Sequence, residues 1–192
     1  MLQQREELLD VVASESERLA RIVNDILWVS RLESGTLQIA VEVCDAVELA
    51  ATVVAAANAH LPPNVTLTFE SEADVPPVEA GSDKLRQILM NLLDNAVKYS
   101  PDGGRIRVRV APEEGFVSFV IADEGLGVPA SEHGRIFEKF YRLDPELTRG
   151  VGGTGLGLYI SRELVHRMNG RISIESREGE GSTFRVDLPV AR

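Results

Sequence analysis

The sequence predicts an α+β fold: a two-layer sandwich in which helices cover one face of a mixed sheet, preceded by one long helix. Three features point that way. Apolar residues repeat at helical spacing in four stretches. Between them lie short alternating stretches bounded by glycine and proline. These strand-like stretches cluster without strict βαβ alternation, which argues for a mixed sheet with helices packed on it.

Residues 2 to about 34 read as one helix, with Leu8, Val12, Leu19, Ile22, Ile26 and Val29 at spacings of three, four and seven. At ~1.5 Å per residue it is ~50 Å long, too long to pack wholly on a small domain. Ser34-Gly35 ends it. From Thr36 the period changes, and "LQIAVEV" alternates as a strand would, with Leu37, Ile39, Val41 and Val43 on one face. "DAVELAATVVAAANAHL" is a helix capped by Asp45 and stopped by Pro62-Pro63. "VTLTFE" is a strand and "PPVEAG" a short edge piece. "SDKLRQILMNLLDNAVKYS" is a helix that ends at the turn Pro101-Asp102-Gly103-Gly104. "RIRVRVA" and "FVSFVIADEG" form a hairpin across "PEEG". A last helix runs from about Leu156 to Met168, and "GRISIES" with "STFRVDLPV" closes the chain as a second hairpin.

Bulk properties narrow the function. At 192 residues the chain holds one ordinary domain plus an appendage, 1–35 and 36–192. A net charge of −10 argues against broad binding to nucleic acid or anionic membranes. The single Cys44 forms no internal disulfide, which suits a reducing, cytoplasmic compartment. No apolar run approaches a membrane span and no signal peptide precedes the first helix, so the chain reads as starting inside an element, as an excised piece would.

Residues 150 to 157 hold five glycines in eight positions, directly before a helix. Bare backbone at a helix mouth suits a phosphate, because N–H groups can approach the anion and the helix dipole favours it. A flexible surface loop is the plainer alternative. "GVGGTG" also matches the dinucleotide fingerprint, with Glu175 about 20 residues beyond it, but "YRLDPELTR" is no strand to lead into it. The P-loop pattern fails as well, since no Lys-Ser/Thr follows the glycines.

Asn91, Asn95 and Lys98 share one stripe of the helix at 83–98. Two amides and an ammonium in line suit a hydrated divalent cation and the phosphates it bridges. A solvated polar face is the alternative, which asparagine, a poor choice for an exposed helix position, disfavours. Asp123 follows an apolar strand and precedes "EGLGVP". It can point into a cleft and accept from an exocyclic amine such as adenine N6, or simply form an Asp-x-Gly bend.

These sites in this order resemble the sensor histidine kinases of two-component systems. "NLLDNAVKYS" is similar to their N box, "DEGLGVP" to the first glycine box, "IFEKFYR" to the phenylalanine box and "GTGLGLYI" to the second glycine box. "GEGSTFRVDLP" resembles the closing strand, and "DILWVSRLESG" the end of the second helix of the dimerisation hairpin. The resemblance spans nearly the whole chain and implies the GHKL (Bergerat) fold, binding ATP between the N-box helix and a mobile lid. It implies that Asn95 holds Mg²⁺, that Asn91 supports the phosphate end and Lys98 contacts phosphate, and that Tyr99 lines the pocket. Asp123 would read adenine N6 over a floor of Gly125 and Gly127, backed by Thr183. Phe137, Phe140 and Arg142 would control a lid at about 143–152. Gly153, Thr154, Gly155, Leu156 and Gly157 would wrap the triphosphate.

The resemblance further implies a homodimer through the hairpin, a response regulator as partner, and γ-phosphoryl transfer to a histidine on that hairpin. The acceptor's His-Glu-x-x-x-Pro-Leu box is absent from these residues, and His60, His133 and His166 lack its setting. The lid carries Arg149 as its only cation. ATPase switches of the gyrase, chaperone and mismatch-repair kind share the fold, but they carry a glutamate where Asn91 stands. A non-catalytic nucleotide-binding module is the third reading, against which the intact Asn95, Lys98, Asp123 and glycines argue.

Overall fold

A computed structural model describes residues 2–143, 148 and 153–191. It divides into two compact units, Met1–Gln38 and Ile39–Arg192. The first unit is the helix α1 (Leu2–Glu33), whose last turn leads into Gly35 at φ +67. Leu9, Val12, Leu19, Val23 and Ile26 are all about half exposed or more, at alternating spacings of three, seven, four and three. This stripe differs from the expected one. Ile22 is half-buried and Val29 buried, while the side chain of Leu8 lies outside the described residues.

The second unit runs β1 (Glu42–Cys44), α2 (Ala46–Asn58), β2 (Val65–Ser71), β3 (Val78–Ala80), α3 (Ser82–Lys98), β4 (Gly104–Glu113), β5 (Phe116–Asp123), α4 (Gly157–Arg167), β6 (Arg171–Arg177) and β7 (Gly181–Pro189). Two short 3₁₀ turns, Ala130–Glu132 and Arg135–Phe137, precede α4. Five strands form one sheet in the order β2-β4-β5-β7-β6, antiparallel except for the β2–β4 pair. The remaining two, β1 and β3, pair separately. The mixed sheet and both hairpins are as the sequence predicts.

The strand expected at "LQIAVEV" shrinks to Glu42–Cys44, and its parity is reversed: Cys44 is buried while Val41 and Val43 are exposed. Its partner β3 is only three residues long, so residues 37–41 have no ladder to join. A slip of one residue moves every side chain to the other face.

Side-chain alternation builds the core. Val110, Phe119, Val186 and Ile172 form one cross-strand row, and Val108, Ile121, Phe184 and Ile174 the next. Against this face pack α2, α3 and α4, burying among others Leu49, Val53, Ile88, Leu92, Ile160 and Leu164. The opposite face of β4 is polar, with Arg105, Arg107 and Arg109 exposed. One step further along the core face, the row becomes Ile106, Asp123, Ser182 and Ser176. The apolar interior thus ends in a polar row, roughly 7 Å from the last apolar one at ~3.4 Å per residue.

Asp45 caps α2, its Oδ1 accepting from the amides of Val47 and Glu48 at 2.9 Å each. Asp45→Ala leaves those two donors without their cap. The expected cost is about 1 kcal/mol of unfolding free energy, read as a lowered urea midpoint with unchanged slope.

Candidate functional site: a nucleotide cleft at the polar end of the sheet

The polar row opens into a cleft lined by Asn95, Tyr99, Asp123, Gly127, Val128, Ile136, Tyr141, Arg142, Leu143, Leu158, Ser182 and Phe184. Its empty volume of about 540 Å³ includes space open to solvent. Apolar side chains form most of the wall, with a few polar groups converging from α3, β5 and β7.

Asp123 is the polar focus. It is 8% exposed, and its Oδ1 accepts from the amides of Gly125 at 2.9 Å and Ser182 at 3.3 Å. Both bonds fall on one oxygen; Oδ2 receives none among the described residues. Burial raises the carboxyl above its ordinary range, and the two amides only partly offset that. Lone pairs without protein donors, in an apolar cleft, suit a ligand that brings its own N–H.

The loop after Asp123 is clamped on both sides. Leu126 N–H donates to Tyr99 O at 2.8 Å, tying the loop to the end of α3. Gly179 N–H donates to Leu126 O at 2.7 Å, and Val128 N–H to Ser176 Oγ at 2.8 Å, tying it to the β6–β7 hairpin. Gly127 sits at φ +70, where a Cβ would come 1.9 Å from Arg177 O, so this position admits only glycine. Gly125 packs as tightly against Tyr99 O.

Across the cleft Asn95 and Tyr99 project from the last turns of α3, both half-buried. Burial raises the Tyr99 phenol, and the nearby Arg142 guanidinium opposes that rise. Asn91 is not part of the wall. Its Nδ2 donates to Ser161 Oγ at 2.8 Å, and its Oδ1 lies so near the Gly157 Cα that a Cβ there would be 2.3 Å away. Asn91 thereby sets the spacing between α3 and the mouth of α4. The first turn of α4 has no side-chain cap, which leaves its N–H groups for another acceptor.

Other expected residues fall elsewhere. Lys98 is exposed on α3, outside the cleft lining. Phe137 is buried, edge-on to Phe184 with ring centroids 6.5 Å apart. Phe140 is 64% exposed with φ +59, and the adjacent Tyr141 and Arg142 line the cleft. Leu156 is 1% exposed, its side chain in the core, so only its backbone could meet a phosphate. Thr154 Oγ1 accepts from Leu156 N–H at 3.2 Å, Gly155 packs against the backbone of Phe140, and Gly153 is exposed. Thr183 pairs with Ala122 on the outer face; the residue that reaches Asp123 is Ser182, one position earlier. Of the expected lid 143–152, only Leu143, Thr148 and the edge of the second glycine box beyond it are described, and Arg149, Gly150 and Gly152 lie outside the described residues.

Sequence reasoning missed Tyr141, whose hydroxyl donates to Glu132 while Arg135 stacks on its ring at 4.4 Å. The Glu132 carboxylate raises the Tyr141 phenol. It also missed Ser176 and Ser182, which alternation along "ISIES" and "STF" places on the core face once the register is known.

This architecture is that of an ATP-binding domain, and the chain belongs to a family: residues 80–192, more than half its length, match the model of the histidine kinase-, DNA gyrase B-, and HSP90-like ATPases. Within that family it stands with the sensor histidine kinases. It is 36% identical over 94% of its length to the sensor histidine kinase WalK of Bacillus subtilis, and 35% identical over 98% to the circadian input-output histidine kinase CikA of Synechococcus elongatus. It spans only 30% and 26% of those proteins. Among solved structures, full-length ShkA in complex with AMPPNP superposes with a TM-score of 0.78 at 30% identity, over 91% of this chain and 36% of that one. The mycobacterial sensor histidine kinase MprB does so at 0.64 and 29%, over 78% of this chain and 97% of that one. No helix among the described residues is long and apolar enough to cross a membrane.

The raised Asp123 carboxyl has a consequence for stability. Between its ordinary value and its higher folded one, the folded chain holds the proton more tightly than the unfolded chain does, so stability falls as pH rises through that window. Asp123→Asn removes the charge but keeps an oxygen for the two amides. The variant should melt higher than the parent at neutral pH, and the gain should vanish as pH drops to the ordinary carboxylate range, in thermal melts without nucleotide.

Proposed function

We propose that this chain is the catalytic ATP-binding part of a sensor histidine kinase, which passes the γ-phosphoryl group of ATP to a histidine on a helical hairpin for relay to a response-regulator aspartate. The observation that carries the reading is the buried Asp123 carboxylate, held through one oxygen and offering the other to the cleft. It accepts from the N6 amine of adenine. Tyr99 and Ile136 line the base pocket, and Gly125 and Gly127 shape its floor. The phosphates run toward α4, whose uncapped first turn and glycines 153, 155 and 157 supply N–H groups. Arg142 on the wall and Lys98 on the exposed side of α3 add positive charge at that end.

Asn95 fits a magnesium ion: its amide oxygen is a hard, neutral donor on the cleft wall. When bound, Mg²⁺ would offset the charge of the phosphates. Asn91 holds α3 and α4 at the spacing in which Asn95 and the α4 mouth face one ligand. This arrangement also disfavours the hydrolytic switches of the same family. A carboxamide is too weak a base to take a proton from water, so Asn91, where those switches carry a glutamate, holds α4 through Ser161 and does not activate a nucleophile.

The first unit supports the hairpin assignment. Leu9, Val12, Leu19, Val23 and Ile26 are exposed at the spacing of a helix–helix seam. We read α1 as the second hairpin helix, residues 1–35, which with its neighbour and a second copy makes a four-helix bundle. None of His60, His133 or His166 stands on such a seam.

Two outcomes follow. Incubated with labelled ATP and Mg²⁺, the 192-residue chain should bind nucleotide without labelling itself, and should label a separate hairpin fragment carrying the histidine with acid-labile phosphate. Stoichiometric phosphate on His60, His133 or His166 would sink the reading. Asn95→Ala should make nucleotide affinity insensitive to Mg²⁺ in calorimetry; a variant that still responds like the parent would remove Asn95 as ligand.

A further inference from the structure

Ser176, on the edge strand β6 behind the cleft wall, makes three polar contacts. Its Oγ lies 2.8 Å from Val128 N, 2.7 Å from Gly181 O and 3.0 Å from Ser182 Oγ. A hydroxyl has one proton and two lone pairs. The Val128 N–H can only donate, which takes one lone pair. The Gly181 carbonyl can only accept, which takes the proton. The Ser176–Ser182 contact is then a hydrogen bond only if Ser182 donates, filling the last lone pair. Ser176 is thereby fully satisfied, and the proton of Ser182 points away from the cleft it lines.

We propose that Ser176 is a specificity-determining positioning residue: by taking the Ser182 proton, it makes Ser182 an acceptor-only group beside Asp123, so that the cleft end rejects a purine with an oxo group at position 6 and admits one with an amine. This deepens the adenine reading above and rests on it. Asp123 and Ser182 are cross-strand neighbours in the polar row and both line the cleft, where each has lone pairs to offer. A 6-amino purine brings two N–H donors to that place; a 6-oxo purine brings an acceptor there, its N–H standing at N1 instead, and faces Ser182 with no proton between the two oxygens. Without Ser176, the Ser182 hydroxyl is free to turn and donate to the oxo group, and discrimination narrows. The Val128 bond gives Ser176 its second effect, holding the loop floor, but that effect weakens every purine alike.

The test uses the 192-residue chain with ATP and inosine triphosphate, which differ at position 6 and in the proton that the oxo form carries on N1, measured by calorimetry. The N1 difference is common to parent and variants and cancels when their ratios are compared. The parent should favour ATP by roughly ten-fold, and Ser176→Ala should reduce that ratio roughly five-fold, whatever happens to the absolute affinities. Ser182→Ala should narrow the ratio too, and adding Ser176→Ala to it should change the ratio no further, because Ser176 acts through Ser182. Ser176→Ala that weakens both nucleotides equally overturns the proposal and leaves a purely structural serine. So does a double variant whose ratio shifts by the sum of the two single effects. A parent that binds both nucleotides equally overturns the adenine reading itself, and is told apart because it appears before any substitution is made.

Discussion

A single carboxylate at the end of an apolar sheet face organises this domain. Asp123 continues the same alternation that puts Val117, Phe119 and Ile121 into the core, so its side chain enters the interior whether or not a ligand is there. Burying it costs free energy, and the fold offsets only part through two backbone amides on one oxygen. The cleft, the glycine loop and the serine pair all lie around that partly satisfied group. A ligand with a hydrogen-bond donor completes what the chain leaves open, which ties recognition to the core itself.

Holding such a group in place demands backbone at very short range. The loop that leaves Asp123 must turn back at once between the end of α3 and the β6–β7 hairpin, and side chains at Gly125 or Gly127 would collide with carbonyl oxygens on either side. Tyr99 O, Leu126 O and Ser176 Oγ then stitch the loop to both neighbours. On the proposed reading, nucleotide selectivity and loop geometry share the same atoms. A change at the hairpin, far along the sequence, reaches the base pocket through a single hydroxyl.

The sequence made most of this legible because its strongest signals are local. Helix caps, turn glycines and the amide stripe of α3 are set by neighbours three or four residues away, and on that basis the Asp45 cap and a place in the cleft wall for Asn95, Asp123 and Gly127 were readable. What failed depended on parity between strands. Thr183 was expected behind Asp123, but the β5–β7 register turns it outward and brings Ser182 in. The same parity reversed Val43 and Cys44 on β1, where a three-residue partner gave no room for a longer ladder. Leu156 sits within a glycine motif that suggests ligand contact, yet an apolar side chain beside the core goes to the core. Phe140 lies in the phenylalanine box, but φ +59 turns it away while its two successors reach the cleft. Ser176 carried no signal, since a serine in an edge strand is ordinary until its three neighbours are known.

A chain of net charge −10 that binds a polyanion must recognise it at short range. The field of the whole domain repels the triphosphate, but at physiological salt that field decays over about 8 Å and governs approach more than grip. On the proposed reading, contact relies on the N–H dipoles of the α4 mouth, the amide of Asn95 and a metal that arrives with the nucleotide, with Arg142 and Lys98 adding charge at that end. No cation is among the causes that shift the Asp123 carboxyl, and burial dominates its rise. A cation beside Asp123 would pull that carboxyl down and compete with a base amine for its lone pairs. On the proposed reading, the base end keeps its open lone pairs because burial, and no neighbouring cation, dominates the Asp123 carboxyl.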